Sequence, residues 1–444
     1  MKWLKRILFL LLIIIVLVVV ENYPKLNIIS GYASKYMASS VLIGDRMPAD
    51  INNYDLNLPL INLATTRYND EEQWATSSVY GLMERRAVDR KELGTVLINE
   101  DYKASETYLQ PKRVRRMDTL PYPMGHLSPH DTIFPEIDYD RLNQAVALPF
   151  GNPEVQKTRT LLVLYKGKLI HEHYVDGFSK NTPILGWSMT KSVLATLYGI
   201  LEYQGKLDLN MPAPIEEWKN DNRKKITINH LLRMQSGLEW DENYEKISDV
   251  TQMLFLDSDM TRGQRVKEAK APPADIWNYS SGTTNLLSGI LRNQFKTHQA
   301  YLDFPYAALI DKIGAHSMLI EADLEGNYVG SSYGWANTRD WGRLGQLYLN
   351  QGNWNGAQLF DQHWINYITK PTLHSKGRYG GHFWLNAEGF YPDVPRDLYS
   401  MNGYQGQYVF IIPSKDIVVV RTGLGEYPDF DVNGFLSALV NAIE

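Results

Sequence analysis

Ser188 and Lys191 stand three apart in the stretch GWSMTKSVLATLYG, residues 186–199. A serine hydroxyl is a poor nucleophile until a neighbour removes its proton. A lysine stripped of water can do that, because desolvation disfavours its charged form. The run that follows, SVLATLYGIL, is nearly all apolar and reads as a buried helix. Lys191 would be held against that helix on the same face as Ser188. The free N–H groups and positive dipole end of a helix start favour negative charge developing on the serine. The plainer reading is an N-cap serine and a solvated lysine. About one Ser-x-x-Lys is expected by chance in a chain this long, so the surroundings must decide.

Two further stretches could complete the chemistry. WNYSSGTTN, residues 277–285, places Tyr279 two before Ser281 at a helix start. A phenol beside an ammonium can pass protons between nucleophile and leaving group. Read plainly, Tyr279 is a packed aromatic and Ser281 a helix cap. NGYQGQYVFII, residues 402–412, is a glycine-rich entry to an apolar strand. Gly406 permits close backbone approach. The N–H of Gln407 could join that of Ser188 as an oxyanion hole. His382, in YGGHFWLN, lies near this stretch in sequence and reads as a cleft-lining residue or a strand histidine. A Ser-His-Asp triad is disfavoured, because Gly186-x-Ser188-x-Thr190 lacks the second glycine of a nucleophile elbow. His171 and His173 have ligand-like spacing but no third ligand nearby, and Pro129 breaks the His126–His130 pair, so no metal site is expected.

The elements that must carry these groups form an α+β pattern. TRTLLVLYKGKLIHEHYVDGF reads as two strands about a Lys-Gly turn, and GQYVFIIPSKDIVVVRTG as two strands about a Pro-Ser-Lys-Asp turn. Between them lie mostly helical segments, so an antiparallel sheet draws strands from both ends of the region and is flanked by helices plus a mostly helical subdomain. Upstream, SSVYGLM, RRAVDR and GTVLIN suggest a small β meander, and the proline- and charge-rich LQPKRVRRMDTLPYPMGHLSPHDTIFPE a linker or surface loop. The expected division is 1–22, an export segment; 23–138, the meander and linker, which could roof the cleft; and 139–444, the catalytic region.

The 444 residues carry a net charge of −5 and no cysteine. That balance gives nucleic acid no basic surface, and thiol catalysis, disulfides and thiolate metal sites are excluded. MKWLKR precedes the 14-residue apolar run ILFLLLIIIVLVVV. A basic head and apolar run of this kind direct export. The expectation is an uncleaved signal anchor in the inner (cytoplasmic) membrane, making the membrane a partner and placing the catalytic region outside the cytoplasm; the alternative is a cleaved signal peptide and a secreted or periplasmic protein.

Taken in order, these three stretches resemble the motifs of the penicillin-recognising serine hydrolases, the superfamily of class C β-lactamases, DD-peptidases and related esterases. The Tyr279-Ser280-Ser281 form is most similar to the branch of 6-aminohexanoate-dimer hydrolases and β-lactamase-fold esterases. ITINHLLRMQSGLEW also resembles that family's segment between the first two motifs, and the likeness spans roughly residues 140–444. The resemblance implies a β-lactamase/transpeptidase-like fold. It implies Ser188 as the acylated nucleophile, Lys191 as its base and Tyr279 as the catalytic tyrosine, with no metal or organic cofactor. Ser281 stands where β-lactamases usually carry Asn, and Tyr404-Gln405-Gly406 where they carry Lys-Thr-Gly or His-x-Gly. The cation that anchors a substrate carboxylate is therefore missing. These positions, with His382, are the expected substrate-binding residues. The substrate expected is a small neutral ester or amide. A DD-peptidase-like enzyme acting on cell-wall peptide and a non-catalytic scaffold are the competing readings.

Overall fold

The computed structural model describes residues 2–99, 102 and 108–443; the outermost residues of the expected division, 1 and 444, lie outside the described residues. It begins with one helix, Lys2–Leu42, which runs through the expected boundary at residue 22. Side chains near its start, Trp3, Leu8, Phe9 and Leu17 among them, are exposed. From Ile28 to Ser40 the helix is buried on every side, and apart from Lys35, which is paired with Glu321, its residues there are apolar or small. The expected membrane segment is not found: among the described residues no helix is long and apolar enough to cross a membrane. The uninterrupted apolar run is 14 residues, about 21 Å of helix against the roughly 30 Å of a hydrocarbon core.

The buried half of this helix is enclosed by a four-stranded antiparallel meander: β1 (Ala64–Asn69), β2 (Trp74–Val79), β3 (Leu82–Asp89) and β4 (Thr95–Leu97), in that order. Ala75 and Ala87 are fully buried facing it, and such small side chains let a helix lie close on a sheet. They share one core with Tyr32, Ala33 and Met37 of the helix, and with Trp187, Trp240 and Phe255 of the region beyond. The linker, from Leu109 to Glu136, forms no helix or strand and crosses the outside of the catalytic region. It is tied there by Arg113 to Asp311 (2.6 Å) and by Arg343 to the carbonyl of Gly125 (2.7 Å).

The catalytic region opens with the hairpin β5 (Thr158–Tyr165) and β6 (Lys168–Tyr174). Its Lys166-Gly167 turn has φ of 47° and 67°, the left-handed pair a twisted two-residue hairpin needs. The helical middle is threaded by a small sheet of β7 (Ile184–Leu185), β8 (Leu319–Ile320) and β9 (Gly334–Ala336), in the order β7-β9-β8. The hairpin β10 (Asn353–Trp354) and β11 (Ala357–Gln358) precedes the last strands: β12 (Trp384–Leu385), β13 (Tyr399–Gly403), β14 (Gln407–Ile412) and β15 (Ile417–Gly423). The main sheet has the order β12-β13-β14-β15-β5-β6, every neighbour antiparallel. Alternate residues face opposite sides. Leu162, Leu164, Val409, Ile411 and Val418 pack with the helices Met189–Tyr203 and Thr338–Leu349. Leu161, Val163, Phe410 and Val419 pack with Tyr139–Ala147 and Val432–Asn441. The expected α+β architecture is present. The small β7-β9-β8 sheet, absent from the sequence reading, is what delivers the chain to Ser188.

Candidate active site

β7 ends one residue before Gly186. A Cβ there would lie 2.3 Å from the Trp341 ring, so only glycine fits. Trp187 follows with φ of 47°, a left-handed conformation that costs a bulky residue on the order of 1–3 kcal/mol and marks a held turn. Ser188 then opens the helix Met189–Tyr203, but its side chain caps no helical N–H. The Ser188 hydroxyl instead accepts from Lys191 Nζ at 2.9 Å. Lys191 is 1% exposed. Its other two partners, the Ser281 hydroxyl and the Ser331 carbonyl, are also at 2.9 Å. Burial lowers its pKa to about 8, against the pull of Glu242, which favours the charged form.

The helix Ser281–Arg292 supplies the second group. Its cap is Ser280, whose hydroxyl accepts from the N–H of Thr283 at 2.9 Å. Ser281 is thereby left free for Lys191. It also donates to Glu242 Oε1 at 2.5 Å, and its own N–H reaches Glu242 Oε2 at 2.8 Å. Trp240 Nε1 donates to the same carboxylate at 2.5 Å. The result is a continuous chain from Ser188 through Lys191 and Ser281 to Glu242. Tyr279 stands over Lys191, whose Nζ is 4.9 Å from the ring centre. Burial and the Glu242 charge raise its pKa far above the ordinary phenol value, while the adjoining Ser188 hydroxyl opposes them. Tyr279 is thus a neutral phenol able to donate a proton. Tyr379 and Trp384 fence it at 5.7 and 5.3 Å.

The third stretch reaches the site because two backbones touch. A Cβ on Gly403, at the end of β13, would lie 2.1 Å from the carbonyl oxygen of Gly186. The loop then turns through Gln405 and Gly406, with φ of 63° and 79°. It is bolted from behind: Arg421 donates to the carbonyls of Gly406 (2.8 Å) and Gly425 (2.7 Å). The Gln407 amide donates to the Gly423 carbonyl (2.6 Å) and accepts from its N–H (3.2 Å), fixing the start of β14. Tyr404 stacks on Tyr244 (5.0 Å, 11°) and meets the Trp187 ring edge-on (5.6 Å, 89°). Its pKa is raised by burial first, then by Glu426 and Glu245. The Gln405 amide nitrogen is buried with no partner among the described residues.

The structure therefore gathers Ser188, Lys191, Tyr279 and Ser281, and brings the loop of Tyr404, Gln405, Gly406 and Gln407 alongside them. His382 does not line the cleft. It is 2% exposed, with Nδ1 at 2.6 Å from the Leu232 carbonyl and Nε2 at 3.0 Å from the Thr284 hydroxyl. Burial holds its pKa down to about 3. It is a neutral tie between segments, because both ring nitrogens are already used. Glu242, Tyr244 and Ser331 were not identified in the sequence. Glu242 lies two residues past the family-like connecting segment, which ends at Trp240, so that segment did not include it. Among the described residues no group of three or more metal-ligating side chains is assembled.

The model of one protein family, described as Beta-lactamase, matches residues 156–441. A 6-aminohexanoate-dimer hydrolase from Paenarthrobacter ureafaciens is 24% identical over 353 residues, which is 70% of this chain and 83% of that protein. Among solved structures, a penicillin-binding protein homologue from Caulobacter crescentus superposes with a TM-score of 0.54 at 14% identity, covering 71% of this chain and 100% of the other. A family VIII carboxylesterase superposes with a TM-score of 0.54 at 17% identity, covering 71% and 99%. At those identities the two structures speak for the fold alone.

Proposed function

The chain belongs to the beta-lactamase family, and from that premise we propose that it is a serine hydrolase cleaving a neutral ester or amide through an acyl-enzyme on Ser188. The observation that carries this is Lys191: buried, with a pKa of about 8, and 2.9 Å from the Ser188 hydroxyl. In its neutral form Lys191 takes the Ser188 proton as the oxygen attacks the substrate carbonyl. The N–H groups of Ser188 and Gln407 hold the oxyanion. Tyr279 donates its proton to the departing alcohol or amine and recovers one from Lys191. Water then attacks the acyl-enzyme, losing a proton to Lys191; the bond to the Ser188 oxygen breaks, the acid leaves, and Lys191 returns the proton to Ser188. Similarity to a 6-aminohexanoate-dimer hydrolase supports including amides beside esters among the bonds to test. The aromatic setting of Tyr404, with carboxylates as the charges acting on it, supports a substrate without a carboxylate. Binding of labelled penicillin, the mark of the DD-peptidase reading, is expected to be absent.

The test is intact mass after exposure of the full chain to a fluorophosphonate. One adduct is expected on the wild type and none on Ser188→Ala or Lys191→Ala; folded wild-type protein that takes no adduct would sink the proposal. The basic head and exposed apolar run also support export, with the catalytic region outside the cytoplasm. Protease added to intact spheroplasts should then degrade the catalytic region, and full protection would rule export out.

A further inference from the structure

The left-handed turn at Trp187 needs something to hold it, and part of what holds it comes from outside the matched family region. Tyr32 and Tyr36, one turn apart on the N-terminal helix, stack with their rings parallel (5.9 Å, 0°). This flat pair lies against the Trp187 indole at 6.1 and 6.3 Å, both within 23° of parallel. On another side the indole meets the edge of Tyr404 (5.6 Å). Trp187, 2% exposed, is thus wedged between the helix and the third-stretch loop.

The helix cannot easily slide, because two buried polar knots pin it beside the pair, one of them through Tyr36 itself. Lys35 meets Glu321 at 2.7 Å, and Glu321 also accepts from Ser39 and from Trp335 Nε1, each at 2.9 Å. Tyr36 donates to Asp55 at 2.7 Å, and Asp55 is gripped by Arg46 (2.6 Å) and by Arg159 of β5 (2.7 Å). Both knots join the N-terminal unit to the catalytic sheets. The fit exceeds what is needed to cover an apolar surface: it fixes the residue that precedes the nucleophile.

We propose that the N-terminal helix is part of the catalytic centre, and that Tyr32 and Tyr36 are positioning residues that hold Trp187 left-handed and so aim Ser188 at Lys191. The inference rests on the reading of Ser188 as the nucleophile. Tyr32 acts through its ring face rather than its hydroxyl, which is buried with no partner among the described residues, whereas the Tyr36 hydroxyl also ties the helix to Asp55.

The experiment measures the second-order rate of fluorophosphonate labelling on full-length variants, with a thermal melt of each. Tyr32→Ala should label roughly 10- to 100-fold more slowly than wild type at a temperature where it is fully folded, the scale set by small displacements of a reacting group. Tyr32→Phe should restore the rate. Phe435→Ala, which opens a space in the core on the far side of the main sheet, should lower the melting point without slowing the labelling. A Tyr32→Ala rate equal to wild type, or a Tyr32→Phe rate as slow as Tyr32→Ala, would overturn the proposal. If Tyr32→Ala does not fold, Tyr32→Leu fills more of the space but still loses the flat face, and the same criterion applies. Wild-type protein that takes no label fails the nucleophile reading instead, so the two failures are distinct.

Discussion

On the Ser188 side of the cleft, each polar group is joined to the next: hydroxyl to ammonium, ammonium to hydroxyl, hydroxyl to carboxylate. On the Tyr404 side, ring meets ring, and the polar bonds lie behind the loop, where Arg421 and Gln407 bind backbone. The first wall has little freedom to change. Removing one member leaves a buried donor or acceptor unpaired, at a cost of about 1–3 kcal/mol. The second wall is held by its backbone, so the side chains facing the cleft can differ without loosening it. That division lets the groups of the first wall stay fixed beside a third stretch that carries Tyr404 in place of a cation.

The largest effect should come from breaking the first wall. Lys191→Ala removes the amine bonded to the Ser188 hydroxyl and should slow acylation by about 10²–10⁴-fold, the usual worth of a positioned base. Labelling rates measure it, and a loss under tenfold would move the base elsewhere. Next in size is the pH dependence. Acylation needs neutral Lys191, so the rate should rise through about pH 8 and level off above it. Glu242 stabilises the ammonium, so Glu242→Gln should shift that midpoint to lower pH. The shift should stay within roughly one unit, because Glu242 is only half-buried and water screens it. A midpoint that moves upward would show that Glu242 acts through geometry rather than charge.

What was legible in the sequence follows the same division. The β5–β6 and β14–β15 hairpins announce themselves through local turn residues, and the Ser188 helix through a long apolar run. Ser188, Lys191, Tyr279 and Ser281 could be named because their spacing matches a family pattern. Glu242 could not, because it meets Ser281 across 39 residues of chain in a loop with no periodicity. His382 is near the third stretch in sequence, but its ring turns inward to Leu232 and Thr284, a direction that nearness in sequence does not encode. The change from apolar run to ENYPKLN looks like a boundary at residue 22, yet the helix continues to Leu42. The helix is held past that point by contacts made far along the chain. Its burial around Tyr32 depends on Trp187 and Phe255, a match that no local pattern encodes.

The smallest effect, and the sharpest test of the second wall, is Tyr404→Lys. It restores a cation where the family's third stretch usually has one. If the loop is held by Arg421 and Gln407, the variant should fold, losing the ring contacts with Tyr244 and Trp187, each worth about 0.5–1.5 kcal/mol. Ordinary neutral esters should then be cleaved within a few-fold of the wild-type rate. Esters bearing a carboxylate should gain, by up to about tenfold at low salt, and the gain should fade as ionic strength rises. The gain is limited because Glu245 and Glu426, which act on residue 404 now, would compete for the new ammonium. Measuring kcat/KM for matched ester pairs, with and without the carboxylate, reads this directly. A variant that loses both activities equally would mean that the Tyr404 ring is needed to hold Trp187, and the second wall would then be as constrained as the first.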